Sequence, residues 1–119
     1  MIKVGDQQRL ETAANIWLAT VRPNGSPHLV PIWFVWLDEK AFICTGRDSV
    51  KARNIAANPH VAFSLEDGSN PLVIQGQAKF LDIIPPTVAE AFQKKYDWTI
   101  IGNETYNALI EITPTRVIG

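Results

Sequence analysis

"IWLATVRPNGSPHLVPIWFVWLDEKAFICT", residues 16–45, decides the fold. The opening IWLATV (16–21) is short, apolar and rich in strand-forming residues, so it reads as a buried strand. RPNGSP follows, and Asn24-Gly25 between two apolar runs is a strong hairpin signal. The next run, HLVPIWFVWL (28–37), is strand-like, but Pro31 cannot donate a ladder hydrogen bond. Pro31 therefore belongs at an edge, at a bulge or where the sheet opens. Asp38-Glu39-Lys40 then turns the chain into AFICT (41–45), and the first three strands are expected as an antiparallel meander.

Outward from this stretch, helices and strands alternate with clear punctuation. Asp6 is expected to cap a short first helix in which Leu10 and Ala13 or Ala14 share a face. Ser49 or Asp48 should cap a second helix ending near Ala57, because Pro59 disfavours helical geometry at Asn58. HVAFSLE (60–66) reads as a strand, DGSNP (67–71) as turn chemistry, and LVIQGQAKFLD (72–82) as a long strand bent or bulged at Gly76. IIPPTVAEAFQKKY (83–96) starts a helix with Thr87 as cap and Glu90 completing a capping box, and Val88, Phe92 and Tyr96 line one side. YNALIEIT (106–113) closes with a final strand. The expectation is a mainly β protein: a six-stranded antiparallel barrel with two or three short helices.

A chain of 119 residues buries one core, so a single domain over 1–119 is expected. The formal net charge of -1 provides no long-range field for nucleic acid or an anionic membrane, and neither is expected as a partner. Cys44 is the only cysteine, which excludes an internal disulfide and a multi-cysteine metal site and fits a reducing compartment. The opening MIKVGDQQRLETAANIW lacks the order of a secretory signal, and the apolar run LVPIWFVWL (29–37) is far short of the ~20 residues of a membrane helix. A cytoplasmic location is expected.

The strongest chemical lead is TGRDSVKARNIAANP (45–59), where Arg47, Lys51 and Arg53 cluster beside a single acid, Asp48. A helix N-terminus presents unpaired N–H groups and partial positive charge, which suits phosphate; Ser49 and Thr45 add hydroxyls. The plain alternative is a capped, solvated surface helix. In PIWFVWL (31–37), Trp33, Phe34 and Trp36 cannot all face one core by strand alternation. Either an outer face packs on a partner, or an aromatic wall lines a slot for a flat ligand.

The remaining candidates are weak. His28 and His60 have no metal-ligand spacing, and no metal is expected. No serine has nucleophile-elbow context, Cys44 reads as a small buried residue, and no glycine-rich phosphate loop is present.

Taken together, LATVRPNGSPHLVPIWFVW, AFICTGRDSVKARNIAANPHVAF, VIQGQAKFLD and the ending ALIEITPTRVIG resemble the pyridoxamine 5'-phosphate oxidase-like family of flavin-binding split β-barrels. The most specific element is the order: a strand ending in Thr, a Ser-x-Lys helix start closing in Asn-Pro, then a strand. The resemblance implies a homodimer with flavin mononucleotide (FMN) at the subunit interface and a small-molecule substrate. His28, Val30, Pro31, Ile32 and Trp33 would then lie under the flavin ring, and Cys44 and Thr45 near the ribityl chain and phosphate. Ser49 and Lys51 would hold the phosphate, with Arg47 or Arg53 as second cation because Val50 stands where the oxidase has an Arg.

Pro71 in place of a cofactor-contacting Gln, and a chain that stops at Gly119, argue against oxidation of pyridoxamine phosphate itself. Shorter relatives resemble this chain in PIWF and SxKARN and use a deazaflavin coenzyme with a longer anionic tail. The resemblance thus implies an FMN-binding oxidoreductase, with a deazaflavin-dependent reductase or a non-catalytic dimer holding a flat ligand as alternatives. No side chain stands out as a catalytic acid or base. Trp98 and Tyr106 fit equally a pocket wall or the core.

Overall fold

The computed structural model describes residues 2–118. Its strands are β1 (Ile16–Val21), β2 (Pro27–Ile32), β3 (Val35–Leu37), β4 (Lys40–Thr45), β5 (His60–Ser64), β6 (Val73–Leu81) and β7 (Ala108–Ile118). Three helices accompany them: α1 (Val4–Thr12), α2 (Val50–Ala57) and α3 (Pro86–Tyr96). All strands join one antiparallel sheet in the order β2-β1-β5-β6-β7-β4-β3.

The two edges of this sheet, β2 and β3, are consecutive in the chain, with Trp33 and Phe34 alone between them. Three extended steps from Ile32 to Val35 span at most about 10 Å. A flat sheet with six inter-strand gaps would hold those edges about 28 Å apart. The sheet must therefore curl until its edges nearly meet, which makes a barrel split between β2 and β3.

This corrects two expectations. The run 28–37 is two strands rather than one, which gives seven strands instead of six. The meander also fails, because β3 pairs with β4 and not with β2. The break falls at Phe34, whose backbone N–H and carbonyl bond to the Tyr96 and Lys95 side chains instead of to a strand. Alternation holds across it: Phe34 and Trp36 enter the barrel core, Val35 packs in the outer cluster under α3, and Trp33 stays 50% exposed. Pro31 sits on an edge strand, where its missing N–H is tolerated.

Alternation does govern the interior. Ile16, Leu18 and Thr20 of β1 point inward, and in register opposite them stand Ile32, Val30 and His28 of β2. Phe63, Ile74, Ile43, Ile110 and Ile112 complete the barrel core. Burial of side chains of this size stabilises by about 1.5–3 kcal/mol each. Where one core was expected, a second buried cluster lies outside the sheet, because α3 covers the outer face of β4: Val88, Phe92 and Ile100 pack on Val35, Phe42, Cys44 and Leu109. β4 is buried on both faces, so Ala41 to Cys44 are all apolar, and buried Thr45 is hydrogen-bonded to Ser49.

Gly76 marks a bulge, as expected: the β6–β7 register shifts between Gln75 and Gly76. A Cβ there would stand 2.7 Å from the Thr113 carbonyl oxygen, so only glycine fits.

Helix starts follow the expectation once in three. Ser49 caps α2, its Oγ accepting from the Ala52 N–H at 3.2 Å, and the helix ends at Ala57. Asp6 does not cap α1, which begins after Lys3; it lies in the first turn and pairs with Arg9 at 3.1 Å. Thr87 does not cap α3 either. Pro86, with φ already set for a first turn, starts that helix after Pro85. Glu90 consequently forms no capping box and pairs with Lys94 at 2.8 Å.

Candidate functional site

The chain reaches the end of β4 at Thr45, where the ladder stops and polar groups need other partners. Thr45 Oγ1 donates to Ser49 Oγ at 3.0 Å, tying the strand end to the start of α2. Asn54 of α2 donates from Nδ2 to Thr20 Oγ1 at 3.0 Å inside the barrel end, which seats the helix. Lys51 is thereby carried in the first turn of α2, half-buried, and desolvation pushes its ammonium below the ordinary lysine range. The first N–H groups of α2 have no intrahelical acceptor.

Between this corner and α3 lies a cavity of about 570 Å³. Pro31, Ile32 and Trp33 form one wall, Cys44, Thr45 and Lys51 another, and Phe92, Trp98 and Tyr106 a third, with Asn15 at the margin. The lining holds one ammonium and no carboxylate. Its aromatic walls are ordered by edge-on contacts: Phe92 meets Trp98 at 5.7 Å and 71°, and Trp98 meets Tyr106 at 5.6 Å and 90°. Trp33 is stacked on Tyr96 with centroids 4.3 Å apart and planes 6° from parallel. Burial pushes the Cys44 thiol up to about 11, so it is a neutral apolar wall group at pH 7 rather than a nucleophile.

Of the residues singled out from sequence, Pro31, Ile32, Trp33, Cys44, Thr45 and Lys51 come together around this cavity. Ser49 stands behind Thr45 as the helix cap. His28 and Val30 lie on the inward face of β2, opposite Thr20 and Leu18, and do not line the cavity. Desolvation, and then the charges of Arg22 and Lys51, hold the His28 imidazole below its ordinary range, so it is neutral at pH 7. Its Nδ1 is shielded from solvent without a hydrogen-bond partner. Arg47 and Arg53 are exposed and outside the cavity wall; the Arg47 guanidinium lies over the Phe80 ring at 5.3 Å.

Residues 6–118 match the sequence pattern of the family described as Pyridoxamine 5'-phosphate oxidase. The chain belongs to that family. The chain is similar over its whole fold to an F420 reductase, at 29% identity and a TM-score of 0.75, with 98% of each chain covered. A conserved hypothetical protein from Mycobacterium tuberculosis is also similar, at 24% identity and a TM-score of 0.81 over 98% of this chain and 82% of that one. A 5a,11a-dehydrotetracycline/5a,11a-dehydrooxytetracycline reductase from Streptomyces rimosus is 48% identical over 54 residues. That match covers 42% of this chain and 38% of the reductase.

Sequence reasoning missed Asn15 and the second role of Phe92 in this family member. Phe92 was legible only as the apolar face of α3; that the same face borders the cavity follows from how α3 docks across β4. Trp98 and Tyr106 border the cavity, and Trp98 also packs against the outer core, an arrangement that spacing along a loop does not encode. Lys95 and Tyr96 at the split carried no sequence signal beyond the helical stripe. Among the described residues no cluster of His, Cys, Asp or Glu is arranged to hold a metal ion, and no helix is long and apolar enough to cross a membrane.

Proposed function

We propose that this protein is a reductase that binds a flat, anionic, flavin-type coenzyme in the cavity at the barrel split, and that the coenzyme is a deazaflavin. The observation that carries the reading is the lining itself: aromatic walls suited to a tricyclic ring, one ammonium at the end where α2 begins, and no opposing carboxylate. Lys51, Thr45 and the first amides of α2 would hold the anionic tail, with Ser49 fixing that corner. Pro31, Ile32 and Trp33 would orient the ring, and Phe92, Trp98 and Tyr106 would exclude water from it. The bound coenzyme supplies a hydride, and the chain supplies orientation, an anion anchor and a dry wall.

Two features favour a deazaflavin over FMN. Lys51 is the only cation in the lining, whereas Arg53 is exposed on α2, suited to a longer anionic tail that leaves the cavity. The similarity to an F420 reductase over nearly the full length of both chains points the same way. FMN is the second reading, supported by membership of the oxidase family, with a non-catalytic holder of a flat ligand behind it. The substrate class is a small conjugated molecule, for which the likeness to a dehydrotetracycline reductase offers a first screen.

A homodimer belongs to the same proposal. Trp17, Leu29, Pro31 and Trp33 form an exposed apolar stripe on the outer face of the β1–β2 edge, with Trp17 opposite Pro31 in register.

Titration of the purified protein with the deazaflavin and, separately, with FMN tests the coenzyme. Micromolar or tighter binding of the deazaflavin is expected. Lys51→Ala should weaken it by about 1.5–3 kcal/mol, the range for hydrogen bonds to charged groups, or about 10- to 150-fold. Binding of FMN alone would select the second reading; binding of neither, or a Lys51→Ala variant of unchanged affinity, would overturn the site.

A further inference from the structure

Where β2 ends, the backbone of Phe34 is served by side chains of α3 instead of a neighbouring strand. The Phe34 N–H donates to Tyr96 Oη at 3.0 Å, and the Phe34 carbonyl accepts from Lys95 Nζ at 2.8 Å. The Tyr96 hydroxyl has one proton to give, shared between the Phe34 carbonyl at 2.9 Å and the Ala14 carbonyl at 2.7 Å. The Lys95 ammonium sits 4.0 Å from the Phe34 ring centroid. One short segment of α3 thus fastens the residue that lies between the two edges of the barrel.

The adjacent residue is Trp33, part of the cavity wall and 50% exposed. Within one chain, burial alone does not fix the rotamer of a side chain that open, whatever a partner adds at the stripe it shares with Trp17 and Leu29. Its indole is instead held flat against the Tyr96 ring, and that ring is anchored through the hydroxyl to Phe34 and Ala14.

We propose that Tyr96 is the positioning residue that pre-sets Trp33 as a wall of the cavity, with Lys95 as second anchor of the split. A Trp33 free to rotate would have to be ordered on binding, a cost equivalent to roughly 2- to 12-fold in affinity for one immobilised side chain. The consequence for ligand affinity rests on the reading of the cavity given above; the pose of Trp33 does not.

The test uses the full chain labelled with 5-fluorotryptophan and free of coenzyme, the Trp33 resonance being the one lost in Trp33→Phe. In Tyr96→Leu this resonance should move to the position of a free indole while those of Trp17 and Trp36 stay. Tyr96→Phe, which keeps the ring, should hold it closer to the native position. A Trp33 resonance unmoved in folded Tyr96→Leu overturns the proposal. Should Tyr96→Leu not fold, the native protein still decides: the Trp33 indole N–H must be as ordered on the ps–ns timescale as that of buried Trp36, and a mobile Trp33 overturns the proposal. The affinity of folded Tyr96→Leu for whichever coenzyme binds should fall 2- to 12-fold, and an unchanged affinity refutes the link to the cavity. If the native protein binds neither coenzyme, the proposed function fails while the fluorine and relaxation results still decide whether Tyr96 sets the pose of Trp33.

Discussion

The interior of the barrel and its split are built on opposite rules. Inside, Ile16, Leu18, Phe63, Ile74, Ile110 and Ile112 meet through strand alternation, and the buried polar pair there, Thr20 with Asn54, is mutually hydrogen-bonded. At the split the ladder stops, so polar groups are held one by one: Tyr96 and Lys95 on the Phe34 backbone, Thr45 on Ser49. Lys51, Lys95, Cys44 and Tyr96, all at or beside the split, have protonation equilibria displaced first of all by burial. The interior carries the barrel core, and the proposed coenzyme site lies where the sheet is interrupted.

Breaking the interior should show this division most strongly. Phe63→Ala removes a fully buried ring from the barrel and should cost about 3–5 kcal/mol in urea unfolding. The fraction that remains folded should bind coenzyme as the native protein does. A loss of affinity in that folded fraction would mean that interior and split are not separable.

Ser49→Ala probes the border between the regions. It removes the acceptor for the Ala52 N–H and the partner of the Thr45 hydroxyl. A lost cap costs about 1 kcal/mol of stability, measurable by urea midpoint. Coenzyme affinity should fall by a similar amount, because the same corner carries Lys51. A variant with native affinity would place Ser49 wholly in the scaffold.

The contrast also explains what could be read from the chain. The β-rich strand IWLATV, the Asn24-Gly25 hairpin, the Gly76 bulge and the Ser49 cap follow local rules, and each is realised where the residues announce it, although the strand read as buried turns Trp17 outward. AFICT was legible as a strand, but its burial on both faces follows only from how α3 docks on it. The break at Trp33-Phe34 was not visible, because an aromatic run is strand-like whether or not a partner strand exists. What interrupts it comes from residues far along the chain: Tyr96 and Lys95 reach Phe34 from 62 and 61 positions away. The Thr87 cap failed for a local reason with a stronger competitor, since Pro86 is itself a helix starter. Lys51, Thr45 and Trp33 were legible as residues that could face a ligand because their types and order carry chemistry. Phe92 and Asn15 were not, because ordinary core and loop residues become wall residues only through docking.

The smallest expected effect, and the one most specific to the split, concerns pH. Lys95 is half-buried with no carboxylate partner among the described residues, and desolvation lowers its ammonium from 10.5 to about 8. The unfolded chain therefore holds this proton up to about pH 10.5, whereas the folded chain releases it near 8. Below pH 8 both states are charged and the burial penalty on folding is at its full value. Between about 8 and 10.5 the unfolded state binds more protons, so the contribution of Lys95 to stability rises with pH. Lys51 shifts in the same direction, so total stability does not isolate Lys95. The difference between native protein and Lys95→Met does. Tyr96, packed against Lys95, has its phenol raised and titrates above the ordinary tyrosine value near 10, so the window from pH 7.5 to 9.5 is free of it. Across that window the urea midpoint of the native protein should rise relative to Lys95→Met. Because the ammonium is only partly buried, solvent screening keeps the change modest. Parallel midpoints would show that Lys95 stays fully charged at the split, held by the Phe34 carbonyl and ring; converging or diverging lines with the opposite sign would show that its charge stabilises the fold.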